Sequence, residues 1–324
     1  MLKKVEISHR TVIFTVLFLI SLWFLYLIRD IILQLFIALL IMAILNPLVT
    51  KLSKWRIPRG ISVFLAYLLF FGVLGAIIAG IIPPLVSQTT SFGNNLPKYF
   101  DNLGINRVIS EQIVGQLISQ LGNVPGQVVK VGVSVFTNIF DVFAVLIFAF
   151  YLLLVREKLD DHLGFFFGEE KKHKAGKLID LLETRLGGWA RGELILMVLV
   201  GVSTYVGLAL LGIPFALPLA LLAGLFEIIP YLGPIVAAVP AVLIGLSISP
   251  LMALAAAALA FLIQQLENYL FVPKVMEKSV GVSPIITLVA LAIGLRLAGI
   301  IGVVISVPVV IALQVLGKQY LVKD

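Results

Sequence analysis

Residues 227–234 read E-I-I-P-Y-L-G-P, and they interrupt an otherwise unbroken apolar run at 215–246. A carboxylate, two prolines and a glycine inside such a segment leave a charge and freed backbone groups with no water to bind. A chain tolerates them at membrane depth only where other protein or a wet cavity shelters them. The stretch is therefore a candidate working part. As one helix, 215–246 would run about 48 Å at 1.5 Å per residue, too long for a hydrocarbon layer of roughly 30 Å. Split at 230–234, each arm is only about 20 Å. Short arms predict a re-entrant hairpin that dips into the membrane and returns to the side it left.

The rest of the chain supports that setting. Of 324 residues, 60% are hydrophobic and 13% charged, against roughly 25% charged in a soluble domain, and the mean hydropathy is +1.12. Apolar runs of near-spanning length recur with helical rather than alternating patterning, which argues against an outer-membrane barrel. The expected class is an all-α polytopic membrane protein with about eight hydrophobic segments. The net charge of +7 lies in the loops, so positive-inside bias accounts for it and nucleic acid is not an expected partner. Cysteine is absent, and His9, His162 and His173 fall in three separate loops, so no metal site is expected. No H-E-x-x-H, G-x-S-x-G or Walker-type motif is present. Neither an enzyme nor direct use of ATP is expected.

In order, residues 1–86 hold three spans of an N-terminal scaffold. Only Arg29 and Asp30 separate the first two, which predicts a tight hairpin. Lys51, Lys54, Arg56 and Arg59 make a basic loop that belongs, with the amino terminus, in the cytoplasm. Residues 87–130 turn polar, with Ile109, Ile113, Leu117 and Leu121 on one helical face, an outer amphipathic segment. A fourth span occupies 131–155. Residues 156–191 are the most charged, with Leu178, Leu181, Leu182 and Leu186 forming the stripe of an amphipathic helix at the inner surface.

The final part, 192–324, reads as a transport unit made of two repeats, 192–248 and 249–317. Pro214 and Gly224 recur as Pro284 and Gly294, and Gly233 and Pro240 as Gly302 and Pro308, at an offset of about 70 residues; paired interruptions of this kind point to a transport site. The second interruption falls at 298–302, with Gly299 and Gly302 at its tip, as Pro230, Gly233 and Pro234 are at the first. If both segments are hairpins, the intervening helix carries Lys274 and Lys278 to the cytoplasm, as does the carboxyl terminus. The units then have opposite orientation, an inverted repeat suited to alternating access. Arg29, Lys98, Arg107 and Lys130 stay outside and Arg296 is buried.

Polar residues at membrane depth define the expected site: Glu227, Tyr231, Gln264, Glu267, Asn268 and Arg296. Gln264, Glu267 and Asn268 fall at i, i+3 and i+4 on one helical face. A charge near the bilayer centre costs roughly 2.5–3.5 kcal/mol, so Glu227 and Arg296 are expected to face each other, water or a ligand. Contact with substrate or coupling ion is one reading; a structural ion pair beside a helix-locking polar face is the other.

E-I-I-P-Y-L-G-P at 227–234, Q-Q-L-E-N-Y-L-F-V-P-K-V-M at 264–276 and G-I-I-G-V-V-I-S-V-P at 299–308 together resemble the autoinducer-2 exporter (AI-2E) family, also called permease-M-like. The matching positions are Glu227, Pro230, Tyr231, Gly233, Pro234, Gln264, Glu267, Asn268 and Pro273. The resemblance implies a bacterial inner-membrane protein that exports the furanone-type quorum-sensing signal autoinducer-2, built as a homo-oligomer with a moving transport unit. Other members resemble Na+(Li+)/H+ antiporters. The expectation is a secondary transporter working by alternating access on a small polar solute. Its alternatives are an antiporter of monovalent cations and a non-transporting membrane scaffold. Apart from the lipid bilayer and that solute or cation, no cofactor is expected beyond H+ or Na+ as coupling ion.

Overall fold

The computed structural model describes residues 9–73, 139–159, 169–276 and 283–321, together with 75, 76, 79, 83 and 87. Every regular element among them is helical. The expected outer amphipathic segment at 87–130 lies, Ser87 apart, outside the described residues. In chain order come α1 (His9–Leu27), α2 (Arg29–Lys54), α3 (Arg59–Val73) and α4 (Ile139–Val155), then α5 (Glu169–Leu210), α6 (Ala216–Phe226) and α7 (Leu232–Ile248). They are followed by α8 (Pro250–Leu266), a π-helical turn (Glu267–Phe271), α9 (Val272–Met276) and α10 (Pro284–Leu321). Among the described residues, five helical stretches are by length and composition apolar enough to cross a membrane, so the chain is a multi-pass α-helical membrane protein.

The first expectation to be corrected is the tight hairpin of the first two helices. Ile28 alone separates them at φ −94°, ψ 10°, donates to the Phe24 carbonyl and accepts from the Ile32 amide, both at 3.0 Å. One near-helical residue does not reverse a chain, since a helical hairpin needs a loop of about 2–5 residues. Accordingly α1 buries no residue, as it would if it lay back along α2.

Helices α2, α3 and α4 form the scaffold core, with Met42, Leu45 and Val49 packed on Val63, Ala66 and Leu153. Polar ties reinforce it: the Tyr67 hydroxyl donates to the Leu146 carbonyl at 2.9 Å, and Gln34 Nε2 to Asp141 Oδ1 at 2.9 Å. At the end of α4 a charged network joins this core to α5. Arg59 reaches Glu157 at 2.5 Å and Asn46 Oδ1 at 2.9 Å. Asn46 donates to Glu183 at 2.5 Å, and Arg156 binds both Glu183, at 2.5 Å, and Asp180. Burial works against the Arg156 charge, but the hydrogen bonds and charges of Glu183 and Asp180 outweigh it and raise its pKa above the usual arginine value.

Helix α5 spans 42 residues, about 63 Å. It has no break at 191/192, where charge density had separated an amphipathic segment from a span. A continuous apolar stripe explains why: Leu186, Trp189, Ala190, Leu196 and Val200 are all buried. α2 crosses close by, and a Cβ on Gly187 would lie 2.4 Å from the Ala43 carbonyl oxygen. The helix ends in a Schellman motif: Gly212, at φ +67°, donates to the Ala209 carbonyl and Ile213 to that of Leu208. Leu208 and Ile213 then share one apolar cluster, the contact that usually completes this cap.

Both interrupted segments double back. In the first, Ala223 of α6 shares a buried cluster with Ala237 of α7, and Leu219 with Ala241. These pairs step in opposite directions along the chain, so the arms are antiparallel. In the second, Ala298 (φ −142°, ψ 21°) and Gly299 (φ 59°, ψ −138°) break α10. Ser306 Oγ donates to the Ala290 carbonyl at 3.0 Å, although 16 residues of straight helix would hold those groups about 24 Å apart. Around the reversal Gly294 and Gly302 touch: a Cβ on Gly302 would meet the Gly294 carbonyl oxygen at 2.0 Å. Despite its length, α10 is therefore two antiparallel arms.

Backbone, rather than a flexible side-chain end, would receive that extra methyl. Gly302→Ala is expected to cost about 1–3 kcal/mol, seen as a lower melting temperature of the purified protein. Gly72→Ala in α3 meets open space and should be neutral or stabilising by up to about 1 kcal/mol. Equal responses from the two variants would argue against close packing of the arms of α10.

Candidate functional site

The tip of the first hairpin is held by an unusual turn. Pro230 accepts from the Leu232 amide at 2.8 Å, closing a γ-turn on Tyr231, whose φ of +66° and ψ of −45° lie in a region that non-glycine residues rarely occupy. Such a residue costs of the order of 1–3 kcal/mol and persists where its surroundings over-determine it. Here they do: Gly233 packs so tightly that a Cβ would lie 1.8 Å from the Phe226 carbonyl oxygen, and its amide donates to the Ile229 carbonyl at 2.9 Å. Glu227, one residue past the end of α6, is thereby turned inward and is 4% exposed.

Opposite it, the helix following the first hairpin widens into the π turn. Val272 donates to the Glu267 carbonyl, five residues back. Pro273 supplies the reason, because its ring would collide with the carbonyl four residues earlier in an ordinary α-helix and it lacks an amide proton. The wider turn, a form frequent at functional sites, sets Glu267 inward and buried, with Gln264 Nε2 donating to its Oε2 at 2.9 Å.

Glu227, Tyr231, Glu267 and Asn268 line one cavity of about 140 Å³, joined by Glu193 and Trp189 from α5 and by Thr287 and Val307 from the two arms of α10. Glu227, Glu267 and Glu193 thus bring three carboxyls to one cavity. Glu227 Oε2 is buried and has no hydrogen-bond partner among the described residues. Beyond Glu267 a narrower cleft of about 40 Å³ continues between α5, α6, α7 and α8, walled by Ala223, Ala237, Ala256 and Ala260, with Pro234 and Gln264 also on its wall.

Of the residues expected at the site, Glu227, Pro230, Tyr231, Glu267 and Asn268 meet at the cavity, and Gln264 stands behind Glu267. Arg296 does not join them. It is exposed rather than buried, and among the described residues neither it nor Glu227 forms an ion pair. The cause is register: α10 reaches the cavity through Thr287 and Val307, and Arg296 lies nine residues beyond Thr287, about 13 Å further along the arm. Gly299 and Gly302 belong to that second tip. They shape α10 and are not among the cavity-lining residues.

Sequence reasoning missed Glu193, Trp189 and Thr287. Glu193 stands at the junction between a charge-rich segment and an apolar one, just inside the unit at 192–324, and is not singled out by either. The usable signal was the spacing Trp189, Glu193, Leu196, Val200, a buried stripe at helical period in which the one carboxylate has to face protein.

A multi-pass helical body, with two doubled-back segments beside a cavity that three carboxyls line, is a construction suited to a membrane transport protein. The chain belongs to the AI-2E transporter family, whose model matches residues 12–322. It is similar to YueF of Bacillus subtilis, 32% identical over 288 residues covering 82% of this chain and 78% of that protein. YrrI of the same organism is 26% identical, covering 91% and 88% of the two chains. YhhT of Escherichia coli is 26% identical, covering 86% and 82%. All three are named as candidate transport proteins, none as an enzyme.

The γ-turn predicts an ordering of variants. Tyr231→Val, β-branched at positive φ, should destabilise by about 1–3 kcal/mol relative to Tyr231→Gly, which adopts that φ freely. Melting temperatures of the two proteins check this, and equal values would contradict the strained turn.

Proposed function

We propose that the protein is a secondary transporter of the bacterial inner membrane that exports a small polar solute by alternating access, with both termini in the cytoplasm. The family's name points to autoinducer-2 as that solute. Residues 1–86 and 131–155 serve as scaffold and 192–324 as the moving unit, its two hairpins re-entrant and oppositely oriented; the chain assembles as a homo-oligomer. The observation that carries this reading is Glu227: a carboxyl 4% exposed with one unpartnered oxygen, at the tip of a doubled-back segment and on the wall of a polar cavity. Glu227 and Glu267 take up the coupling proton or cation, while Tyr231, Asn268 and Gln264 hydrogen-bond the solute. Arg296, exposed on the second hairpin, contributes charge outside the binding cavity.

Antiport of Na+ or Li+ against H+ is the second reading, favoured by three carboxylates facing one space. A solute panel in proteoliposomes, with and without a proton gradient, tests both. Gradient-driven efflux should fall about tenfold or more in Glu227→Gln, equivalent to about 1.4 kcal/mol or more. Sodium-dependent proton flux lost in that variant would favour the antiporter. Unchanged flux in that variant would contradict both readings.

A further inference from the structure

The chemistry of the cavity wall restricts what it holds. Glu193, Glu227 and Glu267 all face it, and among the described residues no lysine or arginine lines it. The nearest candidate on α5, Arg191, donates instead to the Ala43 carbonyl at 2.7 Å. Acidic groups on one wall disfavour an anionic solute and make a cation the natural counterpart. Glu227 is 4% exposed and its Oε2 is buried without a partner, a condition that costs about 1–3 kcal/mol unless a ligand supplies a donor or a positive charge.

The size and wall of the site then separate two kinds of cation. A bare metal cation needs oxygens closing on one point, yet among the described residues no three acidic or histidine side chains group closely enough to hold one. The cavity of about 140 Å³ is instead spread out and half apolar, with Trp189, Tyr231, Val272 and Met276 all on its wall. Aromatic faces next to carboxylates are the setting in which alkylated ammonium groups bind, through cation–π attraction and contact with their methyls.

We propose that the space between α5, the π turn and the tip of the first hairpin binds a small organic ammonium ion of choline's size and charge. The proposal rests on reading this cavity as the transport site and adds the class of solute. Glu193 and Glu227 flank the positive nitrogen, Trp189 and Tyr231 cover its alkyl groups, and Thr287 and Asn268 meet a hydroxyl at the other end.

Equilibrium binding and thermal unfolding of the purified full chain in detergent test this with three probes: choline, its uncharged isostere with carbon in place of the quaternary nitrogen, and sodium. Choline should bind and raise the melting temperature, while the isostere and sodium at equal concentration should not. Glu193→Gln and Tyr231→Leu should each weaken choline binding at least tenfold while keeping helix content. Equal response to choline and the isostere, a response to sodium alone, or choline affinity unchanged in both variants would overturn the proposal. Should either variant not fold, the comparison of choline with its isostere on the unaltered chain decides. Flux of a neutral solute in proteoliposomes without choline binding would leave the transport reading standing and remove this one. Choline binding without flux of any solute would do the reverse.

Discussion

A chain that reverses direction inside an apolar segment has to satisfy every backbone group and charge that the reversal exposes, and the architecture follows from how this one does so. The first reversal is a γ-turn on Tyr231, tight enough that Gly233 rests on the Phe226 carbonyl. It turns Glu227 inward. The π turn forced by Pro273 brings Glu267 to the same place from the opposite side, and α5 adds Glu193. The γ-turn and the π turn are each locally unfavourable alone, and they and α5 line one cavity.

The second reversal is solved differently. Ala298 and Gly299 break the helix, and the returning arm is held by the contact of Gly294 with Gly302 and by Ser306 bonding to the Ala290 carbonyl. Its tip carries Arg296 outward, while Thr287 and Val307, nearer the open ends of its arms, close the cavity. The two hairpins are thus alike in folding back and unlike in what they bring to the site.

Much of this was legible before the structure. The arm lengths on either side of 230–234, the recurrence of Gly and Pro about 70 residues later and the face shared by Gln264, Glu267 and Asn268 all concern spacing within one helix or turn, which sequence encodes directly. What failed depended on partners elsewhere in the chain. The pairing of Glu227 with Arg296 assumed that equivalent tips meet, and nothing local reveals that the first tip instead meets the arms of the second hairpin. Charge density alone also left Glu193 unremarked, because the buried stripe through Trp189, Glu193 and Leu196 shows only when helical period is followed across 191/192. Arg29 and Asp30 looked like a turn by polarity alone, yet Ile28 keeps helical hydrogen bonds on both sides.

The convergence of Glu193, Glu227 and Glu267 on one cavity is what the site stands or falls on, and a double-mutant cycle measures it. Glu193→Gln and Glu227→Gln, made singly and together in the purified protein, should be non-additive in unfolding free energy by about 0.5–3 kcal/mol. Additivity within about 0.3–0.5 kcal/mol would mean that the two carboxyls act independently and do not share a site.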